Sequence, residues 1–125
     1  MKYLLDSCTF LLWSAESSKL GKKVKSIILD LENEIYISSA TIWELSIKQK
    51  LGKINFPADF LENIHKSRMS LLQISAQHAI ATSNFPLIHQ DPFDRMLISQ
   101  AKCEDLILIT SDKIFNKYPV NVLSF

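Results

Sequence analysis

Two apolar runs in this chain end in a carboxylate. The stretch 3-YLLDS-7 drives Tyr3, Leu4 and Leu5 into Asp6, and 106-LILITSD-112 passes through Thr110 and Ser111 to Asp112. Three further acids stand at notable places: Glu44 between Trp43 and Leu45, and Asp91 and Asp94 on either side of 92-PF-93. Each has a plain structural explanation. Asp6 suits the cap of a helix starting near Ser7, and Glu44 suits an i,i+4 pair with Lys48 that stabilises a helix by only ~0.2–0.5 kcal/mol. Asp91 before Pro92 reads as an N-cap followed by proline in the first helical position. Asp94 then falls in the first turn, where the helix dipole favours it by ~0.3–1 kcal/mol. Asp112 suits the cap of a short turn, 112-DKIFNKY-118.

The elements around these acids decide whether they meet. Strand-length apolar runs alternate with longer segments of helical period. The pattern predicts a strand over 2–6, a short helix through Phe10, Leu11 and Trp13, and a helix from Lys19 to Leu31 with Leu20, Val24, Ile27, Ile28 and Leu31 on one face. It continues with a strand over 35–38, a helix over 40–52 closed by Gly52, a helix from Pro57 to Arg68, and a strand over 71–74. Ser75 caps a helix through Ala81, 91–104 is a helix with a clear start, and strands follow at Leu106 to Ile109 and Val120 to Leu123. Such alternation, with strands apolar throughout, predicts an α/β fold: a central, mostly parallel sheet flanked by helices on both faces. In these sheets ligands bind at the carboxyl ends of the strands.

Asp6 and Asp112 both fall at that edge, and helix starts place Asp94 and Glu44 above it. Two carboxylates ~4 Å apart repel by roughly 4 kcal/mol at an effective dielectric of 20, several times the ~1 kcal/mol a cap contributes. Convergence therefore requires either protons retained through raised pKa values or a divalent cation. All-oxygen ligands suit Mg²⁺ or Mn²⁺ rather than Zn²⁺.

Length and composition bound the rest. A chain of 125 residues, 47% hydrophobic, suits one domain over 1–125. Its formal net charge of +1 supplies no global field toward nucleic acid or membrane. Asp6 interrupts the N-terminal apolar run too early for a signal peptide, and no apolar stretch approaches membrane-spanning length. Cys8 and Cys103 sit in no metal spacing and are expected reduced, buried and inert, as in a cytoplasmic protein. The two glycines form no phosphate-cradling loop.

The runs 4-LLDSCTFLLW-13, 42-IWELSIKQKLGK-53, 89-HQDPFDRMLISQA-101 and 108-LITSDKIF-115 together resemble the PIN-domain family, in its VapC-like branch of bacterial toxin ribonucleases. The resemblance runs from end to end of the chain. It implies a PIN-like three-layer fold and an acidic pocket of Asp6, Glu44, Asp94 and Asp112 that binds Mg²⁺ or Mn²⁺ and hydrolyses RNA. It also implies a cognate antitoxin whose C-terminal segment covers the pocket, and a homodimer. Where family members often carry His two residues after the first acid, this chain has Cys8.

Phosphodiester hydrolysis needs an activated water and stabilisation of charge on the phosphorane and leaving oxygens, which a bound metal can supply. Ser7, Thr110 and Ser111 lie beside the acids and are candidates for orienting water or touching phosphate, against their ordinary role as turn formers. Arg95 is a candidate for holding phosphate or a partner's carboxylate, against pairing within its helix. His89 reads as a loop residue and is left out of the metal set. With the four acids set aside, the rest of the chain is formally +5, and the lysines at 19, 22, 23, 25, 48, 50 and 53 are candidate phosphate contacts. Both tryptophans are expected in the core, although helix faces holding Trp13 or Trp43 are candidate dimer surfaces. Two other readings stay open: a metal-free protein-interaction module whose acids are caps, and a housekeeping RNA-processing nuclease.

Overall fold

The computed structural model describes residues 1–55 and 60–125. Its five strands, β1 Lys2–Leu5, β2 Glu34–Ser38, β3 Ser70–Leu72, β4 Ile107–Thr110 and β5 Val122–Ser124, form one sheet in the order β3-β2-β1-β4-β5, parallel throughout. Leu5 is opposite Ile37 on one side and Ile109 on the other. The chain runs outward from β1 through β2 to β3, then returns to lay β4 on the other side of β1. That reversal opens a crevice beyond the carboxyl ends of β1 and β4.

Because successive strand residues face opposite ways, β1 feeds two cores. Tyr3 and Leu5 join Ile35, Ile37 and Ile109 beneath α1 (Ser7–Ser14), α2 (Lys22–Leu29) and α4 (Phe60–Lys66), with Phe10, Val24, Ile28 and Ile64 as the helix contributions. Leu45, from α3 (Ser39–Lys50), completes that layer. On the other face Leu4 and Leu108 meet Leu97, Ile98 and Ala101 of α6 (Pro92–Glu104), with Phe115 and Tyr118. Helices thus cover both faces of the sheet, giving the three layers. Leu4, Leu5 and Ile109 have no exposed surface, and trimming any of them to alanine would cost about 2–5 kcal/mol.

The helix expected over 19–31 is two elements. A 3-10 turn, Ser18–Leu20, stops at Gly21, whose φ of 83° breaks helical continuity, and α2 begins at Lys22 and ends at Leu29. Leu31, assigned to the apolar face, lies beyond the helix and is exposed. α3 ends at Lys50, with Gly52 at φ 74° just past it. The helix expected from Pro57 appears as α4 from Phe60; its proposed start lies outside the described residues. Strand β3 is shorter than 71–74, α5 covers Ala76–Ala81, and Lys113–Lys117 is a 3-10 turn. Cys8 and Cys103 are free but exposed, not buried, since each takes an outward position on its helix. Trp43 is also outside the core at 61% exposure, resting edge-on against Phe93 at 5.1 Å; Trp13 packs against the core as expected. Among the described residues, no helix is long and apolar enough to cross a membrane.

Candidate active site

Asp6 is the N-cap of α1 and 4% exposed. Its Oδ1 accepts the Thr9 amide at 2.8 Å and the Thr9 hydroxyl at 2.5 Å; its Oδ2 accepts the Thr110 hydroxyl at 2.5 Å. The cap and the site are therefore the same residue. A cap exposed at a helix end needs only one amide, whereas this carboxylate is lodged between α1 and the last residue of β4. Burial pushes its pKa above the usual carboxylate range despite the hydroxyl and amide donors, and Asp112 adds to the rise.

Asp112 caps the 3-10 turn by accepting the Ile114 amide at 3.0 Å, and its own amide donates to the Thr110 hydroxyl at 3.0 Å. One buried hydroxyl thus joins the loop acid to the strand-end acid. Asp112 itself is exposed.

Glu44 arrives from α3 and is 6% exposed. The Ser7 hydroxyl donates to its Oε1, and the Lys48 ammonium donates to Oε2 at 2.9 Å. The expected i,i+4 pair is present, yet it does not account for the placement: the same carboxylate is bonded to the residue that follows Asp6. The Lys48 ammonium is held above its ordinary pKa, first by the hydrogen bond to Glu44, with the fields of Glu44, Asp91 and Asp94 adding to it.

Asp91 is the expected cap, accepting the Phe93 and Asp94 amides at 2.8 and 3.3 Å. Asp94, one turn into α6, faces His89: Nε2 of the imidazole is 2.6 Å from Oδ2. Burial pushes the Asp94 carboxyl up to about 6; Asp91 and Glu44 add to the rise, and His89 opposes it. Cys8 shows that the groups share one region. Its thiol, although exposed, is raised first by partial desolvation against its helix, then by the charges of Asp6, Asp112 and Asp94, with Lys48 opposing.

The structure therefore links Asp6 to Asp112 through Thr110 and Glu44 to Ser7, the residue after Asp6, while the charge of Glu44 acts on Asp94. It gives the candidate substrate contacts other duties. Ser7 and Thr110 are buried and spend their hydroxyls on Glu44 and Asp6; Ser111 is exposed. Arg95 neither faces the mouth nor pairs with an acid of its helix. Its guanidinium donates to the carbonyls of Pro86 (2.8 Å), His89 (3.3 Å), Thr82 (2.6 Å) and Phe85 (3.0 Å), because that loop folds back over the start of α6. Sequence reasoning missed Thr9, whose signal was its place three residues after a capping Asp. It also set aside His89, whose partner is five positions away through a loop and leaves no periodic trace.

Among the described residues no three His, Cys, Asp or Glu side chains already stand as a group able to hold a metal ion. The donor chemistry fits a hard cation all the same. The carboxylate cluster offers only oxygen, and two of its members, Asp6 and Asp94, are pushed toward protonation. In addition, an ammonium, that of Lys48, already sits on a third. Burial is the larger cause of both shifts, and the part that neighbouring acids add is the part a cation would relieve.

A model of the PIN domain family matches residues 3–121. A search of curated protein sequences finds no match. Among solved structures, the chain is similar to one in VapBC2 from Rickettsia felis bound to a DNA fragment from their promoter, with TM-score 0.74 and 18% identity over 100% of this chain and 99% of that one. It is also similar to a chain of DNA-bound VapBC from Salmonella typhimurium (TM-score 0.67, 22% identity, 99% and 98% covered). A chain of FitAcB from Neisseria gonorrhoeae is a third (TM-score 0.67, 19% identity, 99% and 97% covered). At these identities the likeness speaks for the fold.

Proposed function

This chain belongs to the PIN domain family, and on that premise we propose that it is a divalent-metal-dependent endoribonuclease of the toxin type, working in the cytoplasm. The observation that carries the reading is that buried Asp6 is joined to Asp112 through the Thr110 hydroxyl and buried Glu44 is bonded to Ser7, the residue after Asp6, with the charge of Glu44 felt at Asp94. Capping a helix end needs one carboxylate; acids that share one edge of the sheet repel each other, and a cation relieves that repulsion.

Asp6, Glu44, Asp94 and Asp112 would hold Mg²⁺ or Mn²⁺, which when bound supplies an activated water and neutralises charge developing on the phosphodiester. The chain's own residues do the rest. Thr9 and Thr110 fix both oxygens of Asp6, and Ser7 fixes Glu44, so these carboxylates need little reordering on loading. Lys48 occupies Glu44 and lowers the repulsion among the acids before a cation arrives. Ser111, exposed beside Asp112, is the candidate hydroxyl left for a phosphate oxygen, since those of Ser7 and Thr110 are given to Glu44 and Asp6. Arg95 is assigned no substrate contact, its donors being taken by carbonyls.

The reading includes a cognate antitoxin. Similar solved structures are of assemblies named VapBC and FitAcB, and a basic side chain of such a partner entering the acid cluster would replace a cation by charge pairing. It also includes a homodimer, for which Trp43, Ile47 and Leu51, exposed at four-residue spacing from α3 into its C-cap, offer an apolar face. The deciding experiment is calorimetric titration with Mn²⁺ alongside an RNA cleavage assay, on wild type and Glu44→Gln. Metal binding and cleavage in wild type, both lost in the variant, support the reading. Neither activity in a folded wild-type chain would leave the metal-free interaction module in its place.

A further inference from the structure

The loop between α5 and α6 is held from outside by two side chains. Arg95 gathers four of its carbonyls, those of Thr82, Phe85, Pro86 and His89. The Tyr118 hydroxyl accepts the His89 amide at 2.7 Å and donates to the Pro86 carbonyl at 3.1 Å. The imidazole of His89 is then gripped separately: Phe115, fully buried, meets it edge to face at 6.0 Å and 80°. Everything converges on one contact, His89 Nε2 to Asp94 Oδ2 at 2.6 Å. Both terminal nitrogens of the guanidinium are spent on carbonyls of this one loop. A planar fork with several donors is suited to fixing several carbonyls at once.

Resting on the metal-site reading above, we propose that His89 is the positioning residue of Asp94, and that Arg95 and Tyr118 act on the site through the His89 loop without touching RNA. The imidazole N–H takes up one oxygen of Asp94 and sets the rotation of its carboxylate, the kind of outer contact that tunes a metal-binding carboxylate. Phe115 belongs to the turn capped by Asp112, so the same packing ties the Asp94 side of the crevice to the Asp112 side. Asp94 thereby receives its orientation from its own helix, from the loop just before it and from the turn after β4, which is distant in sequence.

The test is Mn²⁺ titration by calorimetry on the full chain as wild type, Asp94→Asn, His89→Leu, His89→Gln, Arg95→Met and Tyr118→Phe, with melting curves as a check of folding. His89→Leu is expected to weaken Mn²⁺ binding about 10- to 100-fold, and His89→Gln, which keeps an N–H donor, to recover much of it. In metal-free protein the ¹⁵N resonances of the His89 ring should report a single Nε2–H tautomer in wild type and an averaged one in Arg95→Met or Tyr118→Phe. A merely structural clamp would change melting and leave that signature alone. Wild-type Mn²⁺ affinity in folded His89→Leu, with Asp94→Asn impaired, overturns this inference and spares the metal site. A wild-type chain that binds no Mn²⁺, or an Asp94→Asn chain that binds it as tightly as wild type, sinks both.

Discussion

The Thr110 hydroxyl donates to Asp6 Oδ2 at 2.5 Å, joining the last residue of β4 to the residue after β1 across the centre of the sheet. Parallel pairing makes this possible, since Leu5 and Ile109 are in register and their successors stand side by side. The same hydroxyl accepts the Asp112 amide at 3.0 Å, so one threonine orients one acid and anchors the loop of another.

Thr110→Val keeps the shape and removes this hydroxyl. Leaving a buried carboxylate short of a donor costs about 1–3 kcal/mol, so urea denaturation should show a loss in that range, with Thr110→Ser recovering most of it. Mn²⁺ affinity should fall in parallel. A valine variant as stable as wild type would mean that the Asp6 contact contributes nothing to the fold.

Divalent cations should raise the melting temperature beyond what ionic strength explains. Ligand at 100 times its dissociation constant stabilises the native state by about 2.7 kcal/mol, or roughly 10 °C for a chain of this size at about 4 °C per kcal/mol. NaCl of matched ionic strength is the control. Equal shifts in MgCl₂, MnCl₂ and NaCl would argue for scattered caps.

The Asp94 carboxyl, at about 6 in the folded chain against an ordinary value of 3.8, makes the metal-free protein sensitive to pH. Its folded value is the higher one, so the native state holds the proton more tightly and this group's contribution to stability falls as pH rises from about 4 to 6 and stays lowered above. Asp94→Asn lacks that ionisation. Its stability relative to wild type in EDTA should therefore be better at pH 7 than at pH 4. Carboxyl NMR should also find Asp94 titrating near 6 in EDTA and lower with Mg²⁺ bound. A titration near 3.8 without metal would show that burial and the neighbouring acids do not act as described.

Expression of the wild-type chain alone should arrest bacterial growth, whereas Asp94→Asn at equal level should not. A peptide carrying Arg or Lys that fits the acid cluster should protect, and should compete with Mn²⁺ in titration. Wild-type and variant chains that are equally harmless would count against the toxin role and leave a housekeeping RNA-processing nuclease.

Much of this was legible in order and period alone. The β-α alternation, the all-apolar strands and the acids at strand ends and helix starts announced the sheet, its two helical layers and the edge where Asp6 and Asp112 meet. These are local signals, because strand and helix periods and caps depend on residues a few positions apart. The misreadings share the opposite character. The helix read over 19–31 divides because Gly21 takes a positive φ, and a glycine within a periodic run does not declare which conformation it will adopt.

Exposure and partnership were decided only by the tertiary structure. Cys8, Cys103 and Trp43 are apolar by type, yet whether another element covers them depends on chain far away in sequence, and none does so fully. Arg95 looked free for phosphate until a loop brought four carbonyls to it, and His89 looked incidental until that loop set it on Asp94. The sequence by itself determined which acids the chain owns, which elements carry them and which family it belongs to, for those follow from short-range pattern and order. Which hydroxyl, imidazole or ammonium each acid meets was decided by packing. Such pairings form between segments as much as 104 positions apart, as Asp6 and Thr110 are, and burial makes Asp6 and Glu44 take whatever donor the fold delivers.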